Sequence, residues 1–317
     1  MPAITICIPT YNREATIRDT VESIIQNYGD HIQILIINNA STDNTSTVIE
    51  KYKNHVDYIE NIENIGFAEN FKKCIKLARG KYITFLGGDD VVINKELLSL
   101  VEWMERNPSV ALAGSDIKIF VDNPNKPTRK GKFGNKEIIY SAGASALTEW
   151  WLPSTLASIG GWVVASASAK KYVDRIPSHT IIPQCYMGFY IAKECDVGYF
   201  PAEFFAQRLS NKEEQLANSM YLSITTIEDY HGLVSQLNND KFVQKNIFSQ
   251  LSKMICENLI SFASFGGKHI FLQACRYAVV LDKKIICSPK FIFYSLCGII
   301  LPTYIIRVML ENYRKIR

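Results

Sequence analysis

The chain has 317 residues, 47% of them hydrophobic and 21% charged, with a formal net charge of +4. That length and apolar content support a sizeable core in about two domains and exclude a disordered or low-complexity chain. So slight a charge, spread along most of the sequence, leaves no nucleic-acid footprint, and no RNA- or DNA-binding motif occurs.

In chain order, residues 4–8 are an apolar run ended by Pro9, followed by Thr10-Tyr11-Asn12-Arg13 and then Ile17, Val21, Ile24 and Ile25 at helical spacing. This predicts strand, loop and helix. Residues 31–37 repeat the strand, the polar stretch from Asn38 to Thr45 makes a loop, and residues 45–52 turn helical. A third strand at 57–62 leads through Asn64-Ile65-Gly66-Phe67 into a helix carrying Phe71, Cys74, Ile75 and Leu77. That helix is predicted to end at Gly80, where a positive φ is tolerated. Residues 82–86 then read as a buried strand that delivers Gly87-Gly88-Asp89-Asp90 at its carboxyl end. Strands alternating with helices predict an α/β fold around a parallel sheet, whose ligands bind beyond the carboxyl ends of the strands. The loops after strands one, two and four all fall on that edge.

Two adjacent carboxylates at the mouth of an apolar strand are costly unless something positive neutralises them. Hard cations such as Mg²⁺ or Mn²⁺ take oxygen ligands of this kind and leave positions free for phosphate, so Asp89 and Asp90 predict a metal-diphosphate site. A solvated turn with Asp90 capping a helix is the other reading.

Taken together, Pro9-Thr10-Tyr11-Asn12-Arg13, the Asn-Ala-Ser-Thr-Asp-Asn-Thr loop, Asn64-Ile65-Gly66 with Asn70, and Gly88-Asp89-Asp90 resemble the family 2 glycosyltransferases of GT-A fold, over roughly the first 120 residues. The resemblance extends to the subgroup that builds bacterial surface polysaccharides such as O-antigen. It implies an inverting transferase that takes a sugar from a nucleotide diphosphate, with Mg²⁺ or Mn²⁺ bridging the diphosphate to the acidic motif. By correspondence Asp90 binds the metal, Asp89 meets the ribose or a metal-bound water, Gly88 permits close backbone approach, and Pro9 and Asn70 also belong to the nucleotide-sugar site. Tyr11 stacks on the base or packs over the first helix, and Arg13 forks onto phosphate or sits solvated at the helix start. Asn39 stands where relatives commonly carry a base-contacting Asp, and its carbonyl is expected to accept from a pyrimidine N3–H. Asn38 also replaces a common Asp, and Gly87 stands where many relatives have another one. Asp43 is read as a cap for the second helix.

Residues 95–106 predict an amphipathic helix with Leu97, Leu98, Val101 and Met104 inward, and 110–121 a further strand in which Asp116 is a candidate acceptor contact. Residues 122–136, rich in Asn, Pro, Lys and Gly, read as an exposed loop or hairpin. Trp150 and Trp151 allow two readings, stacking on a sugar face or burial, whereas Trp162 is expected in the core. Inverting transfer needs a base for the acceptor hydroxyl, and the segment where relatives supply an acid, residues 181–186, has none. His179, just before it, is the candidate catalytic residue, with Glu149, Asp174 and Glu203 as alternatives.

From 211 onward, residues 222–236, 242–262 and 269–280 predict helices, followed by the apolar stretch 291–306, broken by Pro302, and a basic end. That stretch is shorter than the roughly 20 residues a spanning helix needs. Peripheral membrane contact through 291–317 is expected, with burial against the domain or a dimer partner as the other reading. Eight cysteines form no Cys-x-x-Cys pair, which predicts reduced core residues and a cytoplasmic location, peripheral on the inner face of the membrane if the tail docks there. No charged leader precedes the first strand, so no secretory signal is expected.

The sequence thus predicts a catalytic domain over 1–210, divided into a nucleotide-sugar half at 1–120 and an acceptor half at 121–210, and a helical region at 211–317. Its expected partners are a nucleotide-diphosphate sugar and a glycan or lipid-linked acceptor. A non-catalytic sugar-nucleotide-binding scaffold and a nucleotidyltransferase are the competing functions, although the latter usually has a basic, glycine-rich phosphate loop after strand one.

Overall fold

A computed structural model describes residues 2–29, 32–127, 129–131, 134–151, 158–209, 224–237, 240–306 and 308. The chain divides into two compact units, Met1–Ser210 and Asn211–Arg317.

The first unit is built on an eight-stranded sheet in the order β3-β2-β1-β4-β10-β6-β11-β9. Strands β1 (Ile4–Thr10), β2 (Gln33–Asn38), β3 (Asp57–Glu60) and β4 (Tyr82–Phe85) are mutually parallel, as the alternation of elements predicts. Helices α1 (Ile17–Tyr28), α2 (Thr45–Glu50) and α3 (Phe67–Leu77) connect them. Beyond β4 the sheet is mixed. β10 (Trp162–Ala165) runs antiparallel between β4 and β6 (Val110–Gly114), β11 (Asp196–Tyr199) is parallel to β6, and β9 (Ile138–Tyr140) is antiparallel at the edge.

A second, four-stranded sheet has the order β5-β12-β7-β8, from β5 (Val91–Val92), β12 (Phe205–Arg208), β7 (Ile117–Phe120) and β8 (Arg129–Gly131). The single strand expected at 110–121 is therefore two. Ser115 and Asp116 carry the chain from one sheet to the other, anchored by Ser115 N–H to Gly161 O and Asp116 N–H to Ala202 O. Helices α4 (Glu96–Arg106), α5 (Ser166–Tyr172) and α6 (Pro183–Glu194) complete the unit.

The core follows the apolar periodicity. Ile17, Val21 and Ile24 of α1, and Leu97, Val101 and Met104 of α4, are buried among Ile4, Ile6 and Ile8 of β1. Phe71 of α3 stacks on Phe85 of β4 with ring centroids 4.1 Å apart, and Trp162 of β10 closes against both. Gly80 has a different reason from the expected one. Its φ is not positive, but a Cβ there would lie 2.5 Å from Thr5 N and 2.6 Å from Ile4 C, so only glycine lets this turn approach β1.

The second unit is helical: α7 (Ile224–Ser235), α8 (Lys241–Phe265), α9 (Gly267–Leu281), a 3₁₀ turn at Lys283–Cys287, and α10 (Pro289–Ile300). α8 starts at Asp240, whose side chain accepts from Val243 N–H. It buries Ile247, Leu251, Ile255, Leu259 and Phe262 along one face. α8 joins α9 at Gly266-Gly267, where Gly267 has φ +70. α10 meets α9 closely, because Gly298 leaves room for the Phe271 ring that any Cβ would strike. No described helix is long and apolar enough to cross a membrane. No disulfide links any of the eight cysteines, all of which are described, and Cys7, Cys74, Cys185 and Cys256 are buried as expected of small core residues.

Candidate functional site

The loops after β1, β2 and β4 meet at the carboxyl edge of the parallel strands. The first two are sewn together by backbone and side-chain bonds. Asn12 N–H donates to Ser41 Oγ at 2.9 Å, Thr42 N–H to Asn12 Oδ1 at 2.9 Å, and Arg13 N–H to Thr45 Oγ1 at 2.8 Å. Glu14 N–H donates to Asp43 Oδ2, and Asn44 N–H returns a bond to Glu14 Oε2. Asn12 (φ +50) and Ala40 (φ +57) take the left-handed region that these tight turns demand. Asp43 also accepts from Thr45 N–H and Oγ1. Burial raises its pKa, yet these hydrogen bonds outweigh it and hold the carboxyl below its usual range. Asp43 thus shapes the turn before α2, while Asn44 occupies the capping position without a side-chain capping bond, its Nδ2 donating instead to Glu14 Oε2 at 2.9 Å.

The loop after β4 is gripped by α1. Thr16 Oγ1 donates to Gly88 O at 2.9 Å and Thr20 Oγ1 to Asp90 O at 2.7 Å, while Val92 N–H donates to Ser23 Oγ at 3.0 Å. Arg208, at the end of β12, holds the other side. Its Nε donates to Asp89 O at 2.9 Å, its guanidinium pairs with Asp19 at 2.7 Å, and it lies 4.8 Å over the Phe120 ring. Its backbone N–H donates to Asp90 Oδ1 at 2.9 Å.

The two carboxylates therefore differ in setting. Asp90 is 3% exposed, with Oδ1 on Arg208 N–H and Oδ2 3.3 Å from Gly87 N. Burial, then the charge of Asp89, push its carboxyl up to about 8 against the backbone donors of Arg208 and Gly87. The helix-cap reading fails, since neither oxygen meets a helix N-terminus. Asp89 is the more accessible of the two, and Arg13 Nε lies 3.3 Å from its Oδ2. A Cβ on Gly87 would sit 2.7 Å from Asp89 Oδ1 and 2.9 Å from Asp90 Oδ2. The missing side chain leaves a small hollow lined by one oxygen from each acid, and any larger residue there must displace them. At Gly88 a Cβ would sit 3.0 Å from Arg13 Cγ, so the missing side chain makes room for the arginine. Such an oxygen pair, open on the side of Asp89, suits a hard cation whose remaining ligands come from phosphate and water. Among the described residues no group of three or more His, Cys, Asp or Glu gathers into a closed metal cage.

Tyr11 is 41% exposed beside this loop pair, and Pro9 lies one residue before the end of β1, in register with Ile37. Asn39 does not play the part expected of it. It is 4% exposed, its Oδ1 accepts from Asn61 Nδ2 at 2.8 Å and Ile65 N–H at 3.0 Å, and its Nδ2 donates to Asn64. With both lone pairs taken, its carbonyl braces the loop instead of offering an acceptor to a base. Asn70 is equally internal, tying α3 to β2 through Ile37 O and accepting from Asn61. Asn38 is buried too, donating toward Ser46, Tyr58 and Glu60.

On the acceptor side, Trp150 and Trp151 are core residues, which removes the sugar-stacking reading. Their indole N–H groups donate to Gly198 O and Cys185 O. Asp116 is buried and accepts from Tyr199 OH at 2.5 Å, so it holds the crossing between sheets and does not face an acceptor. His179 is exposed on the turn before α6. The segment leading to it is tied to α3 by Lys72 Nζ, 3.3 Å from Ile176 O. The other candidate bases are engaged: Glu203 with Lys118 at 2.7 Å, Asp174 with Lys76 at 2.7 Å, and Glu149 with Ser145 at 2.9 Å. Sequence reasoning missed Arg208, and no local pattern marks its partners 118 and 119 residues upstream. It also missed the Thr16, Thr20 and Ser23 stripe, although a polar i, i+4 pair inside an amphipathic helix was a readable signal.

Residues 5–155 match the family model described as Glycosyl transferase family 2. The putative teichuronic acid biosynthesis glycosyltransferase TuaG of Bacillus subtilis is 32% identical over 119 residues, 36% of this chain and 46% of that protein. The Escherichia coli UDP-Glc:alpha-D-GlcNAc-diphosphoundecaprenol beta-1,3-glucosyltransferase WfaP is 34% identical over 106 residues, 33% and 42% of the two chains. The aligned part spans about half or less of the length of the curated relatives it matches. In fold, the chain is similar to S. aureus TarS 1-349 in complex with UDP-GlcNAc, with TM-score 0.62 and 16% identity over 99% of this chain and 92% of that one.

Proposed function

From the match of residues 5–155 to the glycosyl transferase family 2 model, we propose that the chain belongs to that family and transfers a sugar, with inversion, from a nucleoside diphosphate donor to a lipid-linked glycan acceptor. The observation that carries the reading is the convergence of Arg13, Asp89 and Asp90 where the loops after β1, β2 and β4 meet. The diphosphate-linked lipid acceptor named for WfaP and the teichuronic acid biosynthesis in the name of TuaG support the choice of acceptor and a role in bacterial surface polysaccharide synthesis.

In this reading Asp89 and Asp90 would hold Mg²⁺ or Mn²⁺, and Arg13 meets the diphosphate with a charge-assisted fork. The cation, when bound, stabilises the negative charge that grows on the leaving diphosphate. Exposed Tyr11 offers a ring for the base to stack on. Thr16, Thr20 and Arg208 fix the acidic loop, so its carboxylates need not reorganise as the donor bond breaks. The acceptor hydroxyl loses its proton to His179, since the start of α6 carries no acid and the neighbouring carboxylates are engaged.

The test is product analysis by mass spectrometry, using uridine, guanosine, cytidine and thymidine diphospho-sugars with a polyprenyl-diphosphate-linked sugar and Mn²⁺. A sugar mass added to the acceptor is expected. Nucleoside diphosphate bound tightly with no transfer across the panel overturns the enzyme in favour of a binding scaffold.

A further inference from the structure

The second unit carries a surface that the transferase reading does not use. On α10, Ile292, Phe293, Leu296, Ile299 and Ile300 are all exposed, between 47% and 68%. At 100° per residue they form one continuous stripe. The opposite stripe, Phe291 and Gly298, is buried, and Ser295 beside it meets Cys275 of α9 at 3.8 Å. The helix is therefore docked by a narrow face, Phe291, Ser295 and Gly298, and turns most of its large apolar side chains outward, the reverse of an ordinary surface helix. Leu272 and Val280 of α9, Ile286 of the intervening turn and Tyr304 beyond α10 add further exposed apolar area.

Charge accompanies the apolar surface. Residues 267–317 carry nine Lys and Arg against two Asp and Glu, whereas residues 1–210 carry 22 against 23. Lys268, Arg276, Lys283, Lys284 and Lys290 are exposed. Asp282 is half-buried and engaged, accepting from Ser249 Oγ and from Lys284 N–H. An apolar stripe flanked by bases is complementary to a surface that is hydrocarbon beneath and negative above. α10 has 12 residues, about 18 Å of helix, against the roughly 30 Å of a bilayer's hydrocarbon, so it lies in the interface and does not span.

We propose that the outward face of α10, with the basic residues of α9 and the turn between them, is a docking surface for an anionic lipid bilayer. The proposal is independent of the transfer chemistry, and lipid binding and sugar transfer can fail separately. In flotation of the full chain with vesicles, recovery with phosphatidylcholine–phosphatidylglycerol is expected to exceed that with phosphatidylcholine alone and to weaken in high salt. The double substitution Phe293→Glu, Leu296→Glu should lower binding to the anionic vesicles at least about tenfold. Ile62→Glu, on a fully exposed residue of the first unit, should leave it unchanged.

Phe293→Trp supplies a second readout, because the four native tryptophans are all buried in the first unit. Its emission should shift to the blue with anionic vesicles and be quenched by brominated lipid. Unchanged flotation of the double variant, or a Phe293→Trp signal blind to lipid, overturns the proposal. So does a lipid-indifferent dimer that the double substitution dissociates, since that would make the face a contact between copies.

Discussion

Replacing Asp90 by alanine tests whether this acid is an internal brace as well as a lining oxygen of the hollow. The carboxyl receives Arg208 N–H at 2.9 Å and lies 3.3 Å from Gly87 N, in a residue that is 3% exposed. Alanine strands both backbone donors, and a buried unpaired donor costs about 1–3 kcal/mol. Counting the short bond in full and the long one in small part gives a loss of about 1–4 kcal/mol. Little repulsion is relieved in exchange, because burial and Asp89 already push the carboxyl up to about 8 and favour its neutral form at pH 7. Asparagine keeps a carbonyl for Arg208 N–H and forfeits the weaker contact, at a cost of about 1 kcal/mol. Asp89→Ala removes only a partly exposed ion pair with Arg13, worth about 0.5 kcal/mol or less, yet should abolish Mn²⁺-dependent binding of a nucleoside diphosphate. Urea denaturation followed by tryptophan fluorescence reports the first unit alone, since all four tryptophans lie in it. If Asp90→Ala unfolds at the wild-type urea concentration, or Asp89→Ala proves the more fragile, the division of roles is wrong.

Gly80→Ala should cost about 3 kcal/mol, because the added methyl meets the backbone of β1 and not a movable side chain, and thermal denaturation will show it. Asn39→Asp restores the residue common in relatives but turns a carboxylate oxygen toward Asn64 Oδ1. A loss of about 1–3 kcal/mol is expected, and an equally stable variant with tighter uridine diphosphate binding would return the side chain to base recognition. Trp150→Ala should destabilise the first unit by about 3–5 kcal/mol, as for a core residue, whereas a stacking platform would change acceptor KM and leave the urea midpoint alone. His179→Gln should lower kcat about 100-fold or more with donor affinity intact, and a change of twofold or less would remove the histidine from the chemistry.

Local pattern made the first half of the fold legible. β1 to β4 and α1 to α4 each carry their own periodicity, and parallel order follows from alternation, so the edge that bears the site was readable before any coordinates. The antiparallel placement of β10 was not, because a four-residue apolar strand gives no hint of which neighbours it will separate. At the site, Arg13, Asp89 and Asp90 were named because their residue types announce charge chemistry. Asn39 and Asn70 were misread for the complementary reason. An amide can serve a ligand or the fold, and only the positions of Asn61 and Ile65 N–H decide between them. Arg208 escaped because its partners are contributed by strands and loops far upstream, a relation that tertiary packing alone creates. Trp150 and Trp151 were ambiguous for want of knowing what lies beside them, namely Gly198 O and Cys185 O.

The placement of β10 also sets where the polypeptide can be cut. Similarity to the family model stops at residue 155, yet the strand that zips onto Thr84, Ile83 and Tyr82 is not made until residues 163–165. A fragment trimmed at the similarity boundary would expose the flank of β4 as a row of open amides and carbonyls, inviting strand-to-strand clumping. Shortened versions intended for expression must therefore run past Ala165, and a disruption of those few residues would cripple an acidic loop that stands more than 70 positions before them.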